Sequence, residues 1–479
     1  MLKRLLTALF LLSIFLPACS NNEIPPLHTG EPDFGGETFK FIVTSFKYGF
    51  GYYETIDVYT EEQDGTTLND AVYIRNRLVE DLLNINIAEY KSDNVLNSVT
   101  RAVNATERAY DAIFTNMYES SVMAREGLTV DLLIMKYINL DNLWWDKNAE
   151  EDLSIRNKLF FTTGDISTSA KSCVRFLVFN KKLIVDYKME SPYEYVENDT
   201  WTFDVYSQMV KSLYVDVNGD GRKDDGRKDD GDIYGTILET NNPYFMIYGF
   251  GERLTTNDAD GYPIITCNNE RFVYAAQQIF NLYFDDNICR HVNNISMPGR
   301  GRYFNPNFYA VKYARSLFAD NKFLFHLMYP LAMEELRGME ADFGVLPCPK
   351  LNEFQESYHH VVDSNAVMLS IPITFDEYKS GIVLEELAKE SKQTLTPEYN
   401  ETLLRRKYIR DNESEFILDI IQATQRYDLC AIYNWGGLYG LMGTLTELKN
   451  ENLISSIEQL YYIASAEINN TVKIFEGEN

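Results

Sequence analysis

The sequence predicts an α/β fold in which sheets are covered by helices, and three observations lead to it. TFKFIVTS, from Thr38 to Ser45, alternates apolar and polar residues and is rich in β-formers. Leu68 to Leu83 then places Leu68, Val72, Arg75, Val79 and Leu82 on a helical period. Further short strands and amphipathic stretches follow in alternation, the pattern of sheets packed against helices.

Taken in order, a strand is expected at Asn84 to Tyr90, a helix at Val95 to Ala105, and an apolar strand at Tyr110 to Phe114 that ends in Thr115-Asn116. Leu159 to Thr163 and Val174 to Asn180 read as strands, and Trp201 to Leu213 as an amphipathic helix that stops at an acidic loop. Ile233 to Leu238 reads as strand. So does Phe343 to Leu346, closed by Pro347-Cys348-Pro349, and Val367 to Ile371, ended by Pro372; long helical patterns follow near the C-terminus. There is no long-period repeat and no structureless linker mid-chain, so domain boundaries are expected to be chain crossings.

Before the first strand the chain carries Lys3 and Arg4, an apolar run from Leu5 to Leu16, and Leu16-Pro17-Ala18-Cys19. A membrane-spanning helix needs about 20 apolar residues, and this run is shorter, so residues 1–18 read as a cleaved export signal. The small residue before cysteine resembles the lipobox of bacterial lipoproteins. That resemblance implies lipidation of Cys19 and anchoring at the extracellular face of the cell membrane. Residues 19–35 are rich in Pro, Gly, Asn and Glu and read as a flexible tether. No later apolar run approaches spanning length.

The formal charge is −27, and loss of Lys3 and Arg4 with the signal makes the mature chain more acidic still. Nucleic acid is therefore excluded as a partner, and anionic lipid headgroups are disfavoured. Beyond Cys19 there are five widely spaced cysteines, Cys173, Cys267, Cys289, Cys348 and Cys430, without a C-x-x-C pair. They read as small buried thiols, with room for one disulfide in an exported protein.

Several local patterns occur in an informative order: YDAIFTN (110–116), Trp144-Trp145-Asp146, KLFFTTGD (158–165), VFNKKLI (178–184), DTWTFD (199–204), DFGVLPCPK (342–350) and YIRDNES (408–414). In this order the chain resembles the extracellular solute-binding lipoproteins of ABC importers, of the carbohydrate-binding family 1 type. The resemblance implies a two-lobed periplasmic-binding-protein-like fold with hinge crossings and an interlobe ligand cleft. It also implies a carbohydrate ligand, expected to be an oligosaccharide, an ABC transporter permease as partner, and a monomer. Lobe 1 is expected at 36–165 plus 363–426, and lobe 2 at 166–362 plus 427–479. A peptide or other polar solute, a surface glycan adhesin and a secreted glycosidase are the alternatives.

In open α/β sheets ligands lie beyond the C-terminal ends of strands, and this selects the candidate ligand residues. Thr44 and Ser45 end the first strand, and Tyr52 and Tyr53 follow in a glycine-loosened loop; tyrosine offers a flat apolar face and a hydroxyl to a sugar. Asn116 follows the third strand and can both donate to and accept from hydroxyls, or equally cap a helix. Of the adjacent Trp144 and Trp145, one is expected in the core and the other is a candidate stacking platform, because neighbours in sequence do not easily face the same way. Asp165, Asp363 and Asn365 sit at the expected crossings. Trp435 lies in the loop YNWGG, as a platform or as a buried corner.

Asp216, Asn218 and Asp220 alternate before Gly221, the D-x-N-x-D-G pattern of calcium loops. GRKDD at 221–225 is repeated at 226–230, which leaves Arg227 at the twelfth position, so the loop must bulge for Asp232 to close the site. The candidate ligand set is Asp216, Asn218, Asp220, Arg222, Asp224 and Asp232, holding a structural calcium ion; no other cofactor is expected. No G-x-S-x-G, H-E-x-x-H or P-loop is present, and the pair His359-His360 reads as surface. The chain is expected not to be an enzyme.

Overall fold

The computed structural model describes residues 32–45, 54–217, 219, 231–294, 306–401 and 409–478. Cys19, Tyr52, Tyr53, Asn218, Asp220, Arg222 and Asp224 lie outside the described residues, as do the signal and most of the tether. In chain order, strand β1 (Glu37–Thr44) leads to helix α1 (Thr67–Leu83), β2 (Ile85–Ser92), α2 (Val95–Asn104), β3 (Ala112–Asn116) and α3 (Met117–Arg125). Then come β4 (Phe176–Asn180), β5 (Tyr214–Val215), β6 (Ile233–Leu238), α4 (Asn242–Gly249), β7 (Thr255–Asn257), β8 (Pro263–Ile265) and β9 (Cys289–His291). The chain continues through β10 (Phe323–Met328), β11 (Phe343–Leu346), β12 (His360–Val361), β13 (Val367–Ser370), α5 (Glu377–Gln393), β14 (Gln425–Arg426), α6 (Leu429–Tyr433) and the terminal helix α7 (Leu453–Glu476).

Two sheets divide the molecule. The first has the order β13-β3-β1-β2; β1 runs parallel to β2 and β3, and β13 returns antiparallel to β3. The second has the order β11-β4-β10-β6-β5, with β9 also paired to β6. Its central strands are almost wholly apolar, FLVF in β4 and FLFHLM in β10 with His326 as the exception, and are buried throughout, as expected where helices cover both faces. In β1 the alternation sends Phe39, Phe41 and Val43 into the main core and Ile42 to a second cluster with Val95, Val99 and Ile113. β7 and β8 form a separate hairpin.

Most expected elements recur within two residues. One does not: Leu159 to Thr163 makes a single bridge, Thr162 with Leu369, and is not a strand. Its residues are drawn into the core one at a time, Leu159 and Phe161 from an irregular backbone. The five cysteines after Cys19 are all buried and free, so they do behave as small apolar side chains.

Among the described residues, three segments of the chain lie side by side between the sheets. Val174 bridges Val362 antiparallel, and Arg175 N–H donates to Val361 O at 3.1 Å. Asp363 N–H donates to Cys173 O at 3.0 Å. β12 pairs parallel with β14, and Val362 N–H donates to Arg426 O at 2.9 Å. Few-residue strands of this kind can absorb a change in backbone angle while the sheets on either side stay rigid, which is the geometry of a hinge.

His360 lies in this hinge and not on the surface: it is buried, its Nε2 accepts Cys348 N–H at 3.1 Å, and its Nδ1 meets Thr424 Oγ1 at 2.7 Å. Burial pushes its pKa down to about 3. A neutral imidazole is what these contacts require, since Nε2 must keep its lone pair. No apolar period surrounds His360 in the sequence, which is why the pair reads as surface there.

Candidate functional site

A cavity of about 490 Å³ opens between the two sheets. The wall on the side of the first sheet is made by Glu54 to Asp57, the start of α1 from Thr66 to Leu68, Val367 at the start of β13, Tyr399, and the turn with Thr168, Ser169 and Ser172, just beyond the boundary expected for lobe 1. The opposite wall comes from the 3₁₀ segment Pro330–Leu336 that follows β10, through Pro330, Leu331 and Glu334. Its size falls in the range of about 300–1,000 Å³ typical of small-molecule sites.

The lobe 1 wall is held from behind. Thr55 N–H donates to Thr44 O at 3.1 Å, tying the wall to the end of β1. The Asp57 carboxylate gathers the turn opposite it, accepting from Thr168 N–H at 2.5 Å, Thr168 Oγ1 at 2.9 Å and Ser167 Oγ at 3.0 Å. Beneath both lies Arg75, fully buried on α1, which donates to Asp57 O at 3.1 Å, Val58 O at 2.6 Å and Ile166 O at 3.2 Å. Burial lowers its pKa to about 10, so it stays protonated at neutral pH. A guanidinium with its donors spread over three carbonyls fixes a loop that has no sheet partner of its own.

The base of the cleft adjoins the hinge through Arg175. Its guanidinium donates to Asp363 at 2.5 and 3.1 Å, lies 4.1 Å from the ring centre of Tyr329 and 4.6 Å from that of Phe245, and stands 3.8 Å from Glu239. Arg175 is on the first crossing and Asp363 on the second, while Tyr329 immediately precedes the cleft residue Pro330. One buried side chain therefore links two crossings to one wall.

The residues chosen from strand ends fall around this cavity, not on its lining. Thr44 is one layer behind Thr55, its hydroxyl on Thr115 Oγ1 at 3.0 Å, and Ser45 is bonded to Asp93. Asn116 caps α3, accepting Glu119 N–H at 2.9 Å. Asp363 is committed to Arg175, and exposed Asn365 donates back to Asp363 at 2.7 Å.

Trp144, Trp145 and Asp165 line a separate cavity of about 170 Å³ with Lys171, Lys392 and Gln425. Trp145 is buried in the main core and Trp144 only partly buried, as expected, yet both indole N–H groups donate to Glu385 of α5, at 3.0 and 2.9 Å. They sit in an irregular segment, where the alternation of a strand does not apply. Trp435 is corrected as a platform. It is 0% exposed, stacks on Tyr433 and donates to Thr471 at 3.1 Å. Left-handed Asn434, Gly436 and Gly437 turn the chain so that the ring tucks under α7, and a Cβ on Gly436 would meet Ala464 at 2.8 Å.

Sequence reasoning missed Thr55, Asp57, Thr168, Tyr399 and Glu334. The clustered hydroxyls of Thr66-Thr67 and Thr168-Ser169 were a usable signal, but nothing local says that the two meet.

No family model matches the sequence, and no curated protein matches it. Solved structures do. A cyclo/maltodextrin-binding protein complexed with maltotetraose superposes with a TM-score of 0.55 at 14% identity, covering 94% of this chain and 98% of that one. The chain has a two-lobed periplasmic-binding-protein-like fold. RafE from Streptococcus pneumoniae in its apo form (TM-score 0.53, 11% identity, 93% and 98% covered) shares this fold. So does the GacH receptor of Streptomyces glaucescens, solved unliganded and with acarbose (0.52, 13%, 92% and 98%). In periplasmic-binding-protein-like terms, the 490 Å³ cavity is the interlobe cleft and the three crossings are the hinge. Among the described residues, no helix is long and apolar enough to cross a membrane.

Proposed function

We propose that the protein captures a carbohydrate, an oligosaccharide by preference, in the interlobe cleft and delivers it to the permease of an ABC importer. The observation that carries this reading is a cleft with hydroxyl groups on one wall and apolar faces on both, beside the hinge segments. It occurs in a fold shared with structures that hold maltotetraose or acarbose. Ile56, Leu68, Leu331 and Tyr399 offer apolar surface to sugar C–H faces, while the threonines, Ser169 and Ser172 offer hydrogen bonds. Binding across both walls stabilises closure by its differential affinity for the closed state.

The chain acts as a receptor without hydrolysing its ligand. Cys19 carries lipid, and the tether holds the two lobes at the extracellular face near the permease, as the lipobox-like Leu16 to Cys19 supports. A calcium ion braces the loop from Asp216 to Asp232. The Asp232 carboxylate accepts Val217 N–H at 3.2 Å, which joins the two ends of the loop, and Asp216 accepts Gly219 N–H at 2.7 Å. Among the described residues, however, no group of three candidate metal ligands is complete.

A thermal-shift screen with neutral and acidic glycans and with peptides, run with calcium and with chelator, tests these readings. A glycan-induced rise in Tm is expected, together with a fall in Tm on chelation. A response to peptides alone would remove the carbohydrate assignment, and a Tm indifferent to chelation would remove the calcium.

A further inference from the structure

The lobe 2 wall of the cleft is the 3₁₀ segment Pro330–Leu336, and the residue that leads into it is Tyr329. Tyr329 follows β10 directly, is 2% exposed and is not among the described residues that line the cleft. Two guanidiniums stand over its ring. Arg175 lies 4.1 Å from the ring centre; Arg315, on the helix Pro306–Ala319, lies 5.2 Å from it and donates to the Tyr329 hydroxyl at 3.1 Å.

Each guanidinium is held in turn by a carboxylate. Arg175 donates to Asp363 at 2.5 and 3.1 Å, and Arg315 Nη1 donates to Glu335 at 3.4 Å. Asp363 stands just before β13 of the first sheet, whereas Glu335 belongs to the wall itself. Asp363, Arg175, Tyr329, Arg315 and Glu335 therefore form one continuous row, from the approach to the first sheet, past the end of β10 in the second, to the wall. Both arginines are buried, so water screens these attractions little. The electron-rich ring is what lets two like charges share the site. An aliphatic side chain there would keep their repulsion and remove the attraction.

We infer that Tyr329 is a positioning residue for capture: the row that passes through its ring fixes the angle between the hinge and the lobe 2 wall, so that the wall follows the hinge as the lobes close. A contiguous network of this kind carries coupling only if breaking it at either end has the same effect. The inference rests on the saccharide-capture reading for its affinity readout alone.

Interlobe distances from double electron–electron resonance test it, with calorimetry alongside. Spin labels go on Asn104→Cys of α2 and Gln277→Cys of the helix Glu270–Tyr283, both exposed positions, in the chain carrying Cys19→Ser. The five later thiols are buried and do not compete for label. Without ligand, Tyr329→Leu is expected to widen the distance distribution about twofold, and Arg315→Met, at the far end of the row, to do the same. Tyr329→Phe keeps the ring between its partners and should stay close to the wild type. Tyr329→Leu should also weaken the best of maltotetraose, cellotetraose, xylotetraose and raffinose about tenfold, and Tyr329→Phe less than about threefold. A purely structural role would lower Tm in Tyr329→Leu but leave the distance distribution and the affinity as they are, and that result overturns the inference. Should Tyr329→Leu fail to fold, an unchanged distribution in Arg315→Met overturns it equally. Absence of binding by every glycan to the wild type overturns the capture reading alone, because the ligand-free distances still decide the role of Tyr329.

Discussion

Arg75 shows how much of the cleft depends on one side chain outside it. Arg75→Met leaves the carbonyls of Asp57, Val58 and Ile166 without their buried donor. At about 1–3 kcal/mol for an unsatisfied buried group, partly relaxed, the loss should be about 3 kcal/mol, read by urea unfolding. Ligand affinity should fall with it, because the wall carrying Thr55 and Asp57 is no longer fixed. His360 gives a pH prediction. Its folded pKa of about 3 is depressed from 6.5, so the unfolded chain binds a proton that the folded one refuses between these values. Its contribution is present in full above about pH 6.5 and is lost as pH falls towards 3, by about 2 kcal/mol at pH 5. Urea midpoints at pH 7 and pH 5 should differ less in His360→Gln than in the wild type.

At the scale of elements, α5 matters through Glu385, which accepts both indole N–H groups and Asn142 Nδ2 at 2.6 Å. Glu385→Ala strands these donors and should cost about 2–3 kcal/mol, with a change in tryptophan fluorescence as the 144–145 segment loosens. Strand formation was legible wherever the pattern was local: β6 and β11 fall on the residues that their apolar runs mark, and β1 begins and ends one residue early. The failure at Leu159 to Thr163 has the opposite origin, since its pairing partners are chosen by tertiary contacts. The strand-end rule found the right neighbourhood, because Thr44 does back the cleft, but the lining comes from loops brought together by Arg75 and Asp57. Such convergence leaves no periodic trace.

For the whole molecule, two sheets joined through adjacent short segments make rigid-body closure the low-energy motion, since bending either sheet would break ladder hydrogen bonds. Arg175 joins the first crossing to the second and stands against Tyr329, next to the lobe 2 wall. Arg175→Met should leave the Asp363 carboxylate buried without its cation, destabilise the fold by about 3 kcal/mol and weaken ligand binding. Calorimetry paired with urea unfolding reads both effects. Closure of the cleft over a bound oligosaccharide is the motion that capture requires. Small-angle X-ray scattering of the mature chain with and without a saturating neutral glycan tests this most directly. A decrease in radius of gyration on ligand addition is predicted, whereas saturable binding with an unchanged scattering profile would contradict it.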